Sequence, residues 1–89
     1  MSIENRVTII SGATGGLGQT VSRRFYQAGA RLILVGSRPE TVESLAADLG
    51  NQRILPVAAN LIDPAEAERV VALAQEKYGR VDICLLYTS

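Results

Sequence analysis

Four short apolar runs alternate with three longer segments of helical periodicity, and this alternation narrows the fold more than any other feature. Arg6 to Ser11 (RVTIIS) is β-branched, apolar and followed by glycine, the pattern of a strand buried on both faces of a parallel sheet. Gly16 to Ala28 carries Leu17, Val21, Phe25 and Ala28 at helical spacing, and Gly29 is its stop. Arg31 to Val35 (RLILV) is the second strand. Pro39 suits the first turn of a second helix, whose inward stripe is Val42, Leu45, Ala46 and Leu49, closed by Gly50. Arg53 to Ala58 (RILPVA) is a third strand, with Pro56 an objection to a central ladder position. Asp63, Pro64 and Glu66 are a helix start: a cap, a proline at the first helical position, and an acid three residues after the cap. Ala67, Val70, Val71, Ala74 and Tyr78 form its inward stripe, Gly79 ends it, and Val81 begins a fourth strand. The order β-α-β-α-β-α-β implies an α/β fold with a parallel sheet.

Composition removes several function classes. A chain of 89 residues is one domain or part of one, and at that size an independent fold is marginal. Nine basic and nine acidic residues cancel, so there is no electrostatic footprint for nucleic acid or an anionic membrane. No apolar run is long enough to cross a bilayer, and the N-terminus lacks the layout of a signal peptide. The single cysteine cannot form an internal disulfide, and the absence of histidine excludes an imidazole-based metal site. These features lead to the expectation of a soluble, cytoplasmic protein.

The chemistry sits between the first strand and the first helix, in Ser11-Gly12-Ala13-Thr14-Gly15-Gly16-Leu17-Gly18. Gly12 allows a tight turn off the strand. Gly15 and Gly16 let backbone approach an anion, and Gly18 lets the helix pack closely on the sheet. Free N–H groups and the positive helix end then suit a pyrophosphate. The strand before and the helix after supply the context that a glycine pattern alone lacks. No Gly-Lys-Ser/Thr follows, so a P-loop is disfavoured.

These residues resemble the short-chain dehydrogenases/reductases. SGATGGLG is similar to the family's Thr-Gly-x-x-x-Gly-x-Gly fingerprint, with Ser11 in place of threonine. Asn60-Leu61-Ile62-Asp63 resembles the segment after the third strand whose first residue lies near the adenine. Tyr78-Gly79-Arg80-Val81-Asp82-Ile83 resembles the entry to strand four. The resemblance covers residues 6 to 83 and implies the N-terminal part of a Rossmann fold. It also implies a dinucleotide cofactor held by Gly12, Thr14, Gly15, Gly16, Leu17, Gly18, Ser37, Arg38, Asn60 and Leu61. For the full-length parent it implies a small carbonyl or alcohol substrate and a homo-oligomer, similar to the 3-oxoacyl carrier-protein reductases. Gly12, Gly15 and Gly18 also satisfy the spacing of the sugar-nucleotide epimerase branch. An epimerase or a non-catalytic dinucleotide-binding member is the alternative.

No acid occupies Gly36, Ser37 or Arg38, where an NAD site carries one for the ribose 2′-hydroxyl. Arg38 suits a 2′-phosphate and Ser37 is a hydrogen-bond donor to it, which favours NADP. Gly15 stands where many NADP-using relatives carry arginine, which leaves NAD open. Asp63 reads as a helix cap, Asp82 as structural and Cys84 as a core residue. Arg23, Arg24, Arg69 and Lys77 read as solvated helix faces.

The family's catalytic Tyr-x-x-x-Lys pair is absent. The only lysine is Lys77, preceded four residues earlier by Leu73, while Tyr26 and Tyr78 are followed at that distance by Ala30 and Asp82. The chain therefore reads as a fragment holding most of one cofactor-binding half, inactive by itself. Leu86, Tyr87, Thr88 and Ser89 stand where relatives carry an Asn-Asn-Ala-Gly loop. Residues 84–89 (CLLYTS) also translate TGT CTC TTA TAC ACA TCT, a transposon end used as a sequencing adapter. The expectation is that natural sequence ends near Ile83.

Overall fold

The computed structural model describes residues 3–86. Four strands, β1 (Val7–Ser11), β2 (Arg31–Gly36), β3 (Ile54–Ala58) and β4 (Ile83–Leu86), alternate with three helices, α1 (Gly16–Gln27), α2 (Pro39–Leu49) and α3 (Pro64–Tyr78). The strands form one parallel sheet in the order β3-β2-β1-β4. That order is the first half of a doubly wound sheet, with the crossover between β3 and β4 passing to the far side of β1. Ile9 sits opposite Ile33 on one side and Cys84 on the other.

The period-two alternation of the strands divides the core. Ile10, Leu32, Leu34 and Ile54 face one way and pack with Val42, Leu45 and Ala46 of α2 and with Val21 and Phe25 of α1. Val7, Ile9, Ile33, Val35 and Val57 face the other way, against Val70 and Ala74 of α3. The result is three layers, with α1 and α2 on one face and α3 on the other. Both faces of β1 and β2 are sealed, which is why those strands are continuous apolar runs. Pro56 is accommodated because β3 is the outer strand of the described sheet.

The predicted order holds, and the departures are local. On α1, Leu17 is 62% exposed and Ala28 is exposed, while the innermost residues are Gly18 and Ser22. The helix lies so close to the β1–α1 turn that only small residues fit between them. Ser22 satisfies its buried hydroxyl on the Gly18 carbonyl at 2.7 Å. On α3, Val71 points to solvent, and Leu73 flanks the core in its place.

Strand β3 starts one residue later than expected. Arg53 takes a left-handed backbone, φ 62°, and turns its guanidinium back to the end of α1. There Nη1 donates to the Ala30 carbonyl at 2.6 Å, and the guanidinium lies 4.2 Å from the Tyr26 ring centroid. Strand β4 starts at Ile83 rather than Val81. Asp82 bridges the starts of β4 and β1, accepting from the Val7 N–H at 2.9 Å, while its own N–H donates to the Val7 carbonyl. Arg80 and Arg6 flank its carboxylate. Arg69 is more than a solvated cation: it donates to the Ala58 carbonyl at 2.8 Å and pairs with Glu66. Cys84 is exposed rather than core, because β4 is the other outer strand of the described sheet. Tyr87, Thr88 and Ser89 lie outside the described residues. Among the described residues no helix is long and apolar enough to cross a membrane.

Candidate functional site

The loops that follow β1, β2 and β3 meet at the carboxyl edge of the sheet. Two backbone hydrogen bonds fasten them together: Ala13 N–H to the Val35 carbonyl at 3.2 Å, and Ala59 N–H to the Gly36 carbonyl at 3.0 Å. Thr14 lies over Gly36, whose absent Cβ would sit 3.6 Å from the threonine methyl. Parallel α/β sheets bind ligands at this edge, where β1 and its crossovers diverge.

The glycine-rich turn is built around two constraints. Gly12 has a φ of 67°, a conformation that side chains disfavour. Its carbonyl accepts from the Gly15 N–H at 3.1 Å, closing the turn. A Cβ on Gly18 would lie 1.9 Å from that same carbonyl oxygen, so α1 approaches the turn as closely as it does only because residue 18 has no side chain. Gln19 locks the loop from the helix side, donating from Nε2 to the Thr14 carbonyl at 2.8 Å.

Gly16 differs from these. Its φ is not left-handed, and a Cβ there would meet nothing within 4 Å. Neither packing nor backbone strain demands glycine at this position. What glycine supplies is bare backbone at the first turn of α1, open to an approaching group. Helix α1 is capped by Gly15 with no side-chain hydrogen bond, and no acid lies in its first turn. Its first N–H groups and positive dipole end are thus available to an anion. Helix α3 is closed by its own cap, since Asp63 accepts from the Ala65 N–H at 3.0 Å. Glu66 does not complete a capping box, because it pairs with Arg69 instead.

The second loop places Ser37 and Arg38 in solvent. Arg38 occupies the position capping α2, where it makes no side-chain cap, and its Nε pairs with Glu40 at 3.3 Å. A cation is a poor residue for this position on helix grounds. In the third loop, Asn60 Oδ1 accepts from the Ile62 N–H at 3.1 Å and the Asn60 carbonyl accepts from the Asp63 N–H. Asn60 thereby shapes the turn and stays exposed, Leu61 packs against the α3 side of the core, and Ile62 is 87% exposed. Gly12, Thr14 and Gly15, with Gly16, Leu17 and Gly18 in the first turn of α1, are thus gathered with Ser37, Arg38, Asn60 and Leu61 at one edge.

A cleft of about 780 Å³ opens beside this edge, between α1 and α2. Thr14, Gln19, Glu40, Thr41 and Ser44 are among its lining residues. Gln19 and Glu40 had no sequence signal for the site. Each reads locally as an ordinary polar helix residue, and only tertiary packing brings it to Thr14.

The family model for the short chain dehydrogenases matches residues 6–86. The chain belongs to the short chain dehydrogenase family. Across 85 residues it is 34% identical to meso-2,3-butanediol dehydrogenase of Serratia marcescens, covering 96% of this chain and 34% of that protein. Across 83 residues it is 40% identical to 1,6-dihydroxycyclohexa-2,4-diene-1-carboxylate dehydrogenase of Pseudomonas putida, covering 92% and 30%. It superposes on the crystal structure of 3-ketoacyl-(acyl-carrier-protein) reductase from Brucella melitensis complexed with NADH. The TM-score is 0.86 at 34% identity, covering 93% of this chain and 34% of that one. The chain thus spans about a third of the length of these relatives. The sheet order and the glycine turn agree with a short chain dehydrogenase whose first βαβ units are present.

Proposed function

We propose that this chain is the dinucleotide-binding half of an oxidoreductase that transfers hydride between a nicotinamide cofactor and an alcohol or carbonyl substrate. The observation that carries the reading is the uncapped start of α1, with Gly16 bare where no packing requires it. The pyrophosphate is held by the N–H groups at Gly16, Leu17 and Gly18, with Gly12 and Gly15 shaping the turn and Thr14 beside it. Asn60 and Leu61 flank the adenine. Ser37 and Arg38 take the ribose, and Arg38 with no acid at residues 36–38 favours NADP over NAD. When bound, the cofactor supplies the hydride, and this half supplies binding and orientation.

The general acid/base of the family's Tyr-x-x-x-Lys type has no counterpart in these 89 residues. The catalytic groups, the substrate pocket and the oligomer contacts belong to the rest of a full-length cytoplasmic parent, and Cys84 to Ser89 carry no catalytic role. The complete coding DNA tests the reading. A downstream serine with Tyr-x-x-x-Lys supports it, and their absence sinks the oxidoreductase in favour of a non-catalytic member. The purified 89-residue chain should not oxidise NADPH with a carbonyl substrate.

A further inference from the structure

We infer that Glu40 is a specificity-determining residue that weakens the hold of this edge on a 2′-phosphorylated dinucleotide, an inference that rests on the dinucleotide reading above. Three features of the β2–α2 junction carry it. First, Arg38, the basic residue next to the ribose position, is engaged: its Nε lies 3.3 Å from Glu40 Oε1. Second, the backbone at the junction is held. Pro39 separates the two residues and sets the first turn of α2. The Arg38 carbonyl accepts from Thr41 Oγ1 at 3.0 Å and from the Val42 N–H at 3.3 Å, holding Glu40 beside the arginine. Third, Glu40 is exposed and lines the cleft that Thr14 of the glycine turn also lines, so it is reachable from the edge where the loops meet.

The balance of charge follows. The other acid lining the cleft, Asp48, pairs with Arg23 at 2.5 Å, near the other end of α2 from the β2–α2 junction. Arg38 and Glu40 are 70% and 66% exposed, so their pair is weak and a phosphate displaces it. Once displaced, the Glu40 carboxylate remains two residues away and repels the dianion. A 2′-hydroxyl carries no charge and feels none of this. The effect of one such charge across solvent-exposed separations is roughly fivefold in affinity.

The test compares ADP-ribose with 2′-phospho-ADP-ribose, titrated at one ionic strength by calorimetry into the full 89-residue chain. The variants are Glu40→Gln and Glu40→Ala, with circular dichroism confirming unchanged helix content. Both variants should tighten the 2′-phospho ligand roughly fivefold and leave ADP-ribose within about twofold. An unchanged ratio of the two affinities, or equal tightening of both, overturns the inference while leaving the dinucleotide reading intact. Failure of every variant, wild type included, to bind either ligand overturns the dinucleotide reading and this inference with it.

Discussion

Gly18 of α1 lies against the carbonyl of Gly12, so close that a Cβ on residue 18 would stand 1.9 Å from that oxygen. The atom in the way is backbone, and the turn that carries it is tied to β2 through Ala13 and Val35. Neither side can yield cheaply. Gly18→Ala should therefore cost about 2 kcal/mol or more of stability, as overpacking does elsewhere. A urea melt of the variant beside wild type measures it, and a change under about 0.5 kcal/mol would show that the helix can move off the turn.

Arg53 combines a left-handed backbone with a guanidinium that donates to the Ala30 carbonyl and to the Tyr26 carbonyl in the last turn of α1, and lies over the Tyr26 ring. Removing the side chain should cost about 1–2 kcal/mol. Arg53→Gly loses the same contacts but tolerates the positive φ, so it should be more stable than Arg53→Ala by about 0.5–1 kcal/mol. Thermal melts of the two variants decide this, and the reverse order would mean that the backbone at residue 53 is not left-handed.

Asp82 joins the starts of β1 and β4. The Val7 N–H holds its carboxyl below the usual carboxylate range, and Arg80 and Arg6 add to the shift against the opposing effect of burial. A depressed folded pKa contributes stability that is present above the unfolded value of about 3.9 and is lost as pH falls through the folded pKa. The wild type should therefore lose stability below about pH 4, and Asp82→Asn should lack that part of the acid dependence while being less stable at pH 7. Denaturant midpoints from pH 2 to 7 report both. Parallel curves for the two proteins would remove Asp82 from the acid response.

Although Cys84 is exposed, partial desolvation pushes its thiol up. At pH 8 the thiol should be alkylated by iodoacetamide more slowly than the same cysteine in urea, since the thiolate is the nucleophile. Equal rates would show that β4 does not shield it.

The strands and helices were legible because periods of two and 3.6 are local properties of sequence. The glycine turn was legible for a related reason: its constraints lie within seven residues, between Gly12 and Gly18. What escaped was set by tertiary contact. Leu17 keeps helical spacing with Val21, yet it is exposed, because the close approach at Gly18 rotates the small residues inward. Arg53 reads as a strand residue until the Tyr26 and Ala30 carbonyls come beside it. Arg69 reads as a surface charge until the Ala58 carbonyl comes beside it. The Arg38–Glu40 pair and the cleft shared by Glu40 and Thr14 likewise need the second crossover in place.

The most direct measurement is a titration of the isotope-labelled 89-residue chain with NADPH, followed by amide resonances. Binding at the carboxyl edge predicts the largest shifts at Gly12, Thr14, Gly16, Leu17 and Gly18, with smaller ones at Ser37, Arg38 and Asn60. Gly16→Val, which adds a branched side chain where a Cβ meets open space, should leave the folded spectrum intact and weaken binding at least roughly tenfold. Saturable shifts confined to residues away from these loops, or an unweakened Gly16→Val, would contradict the account.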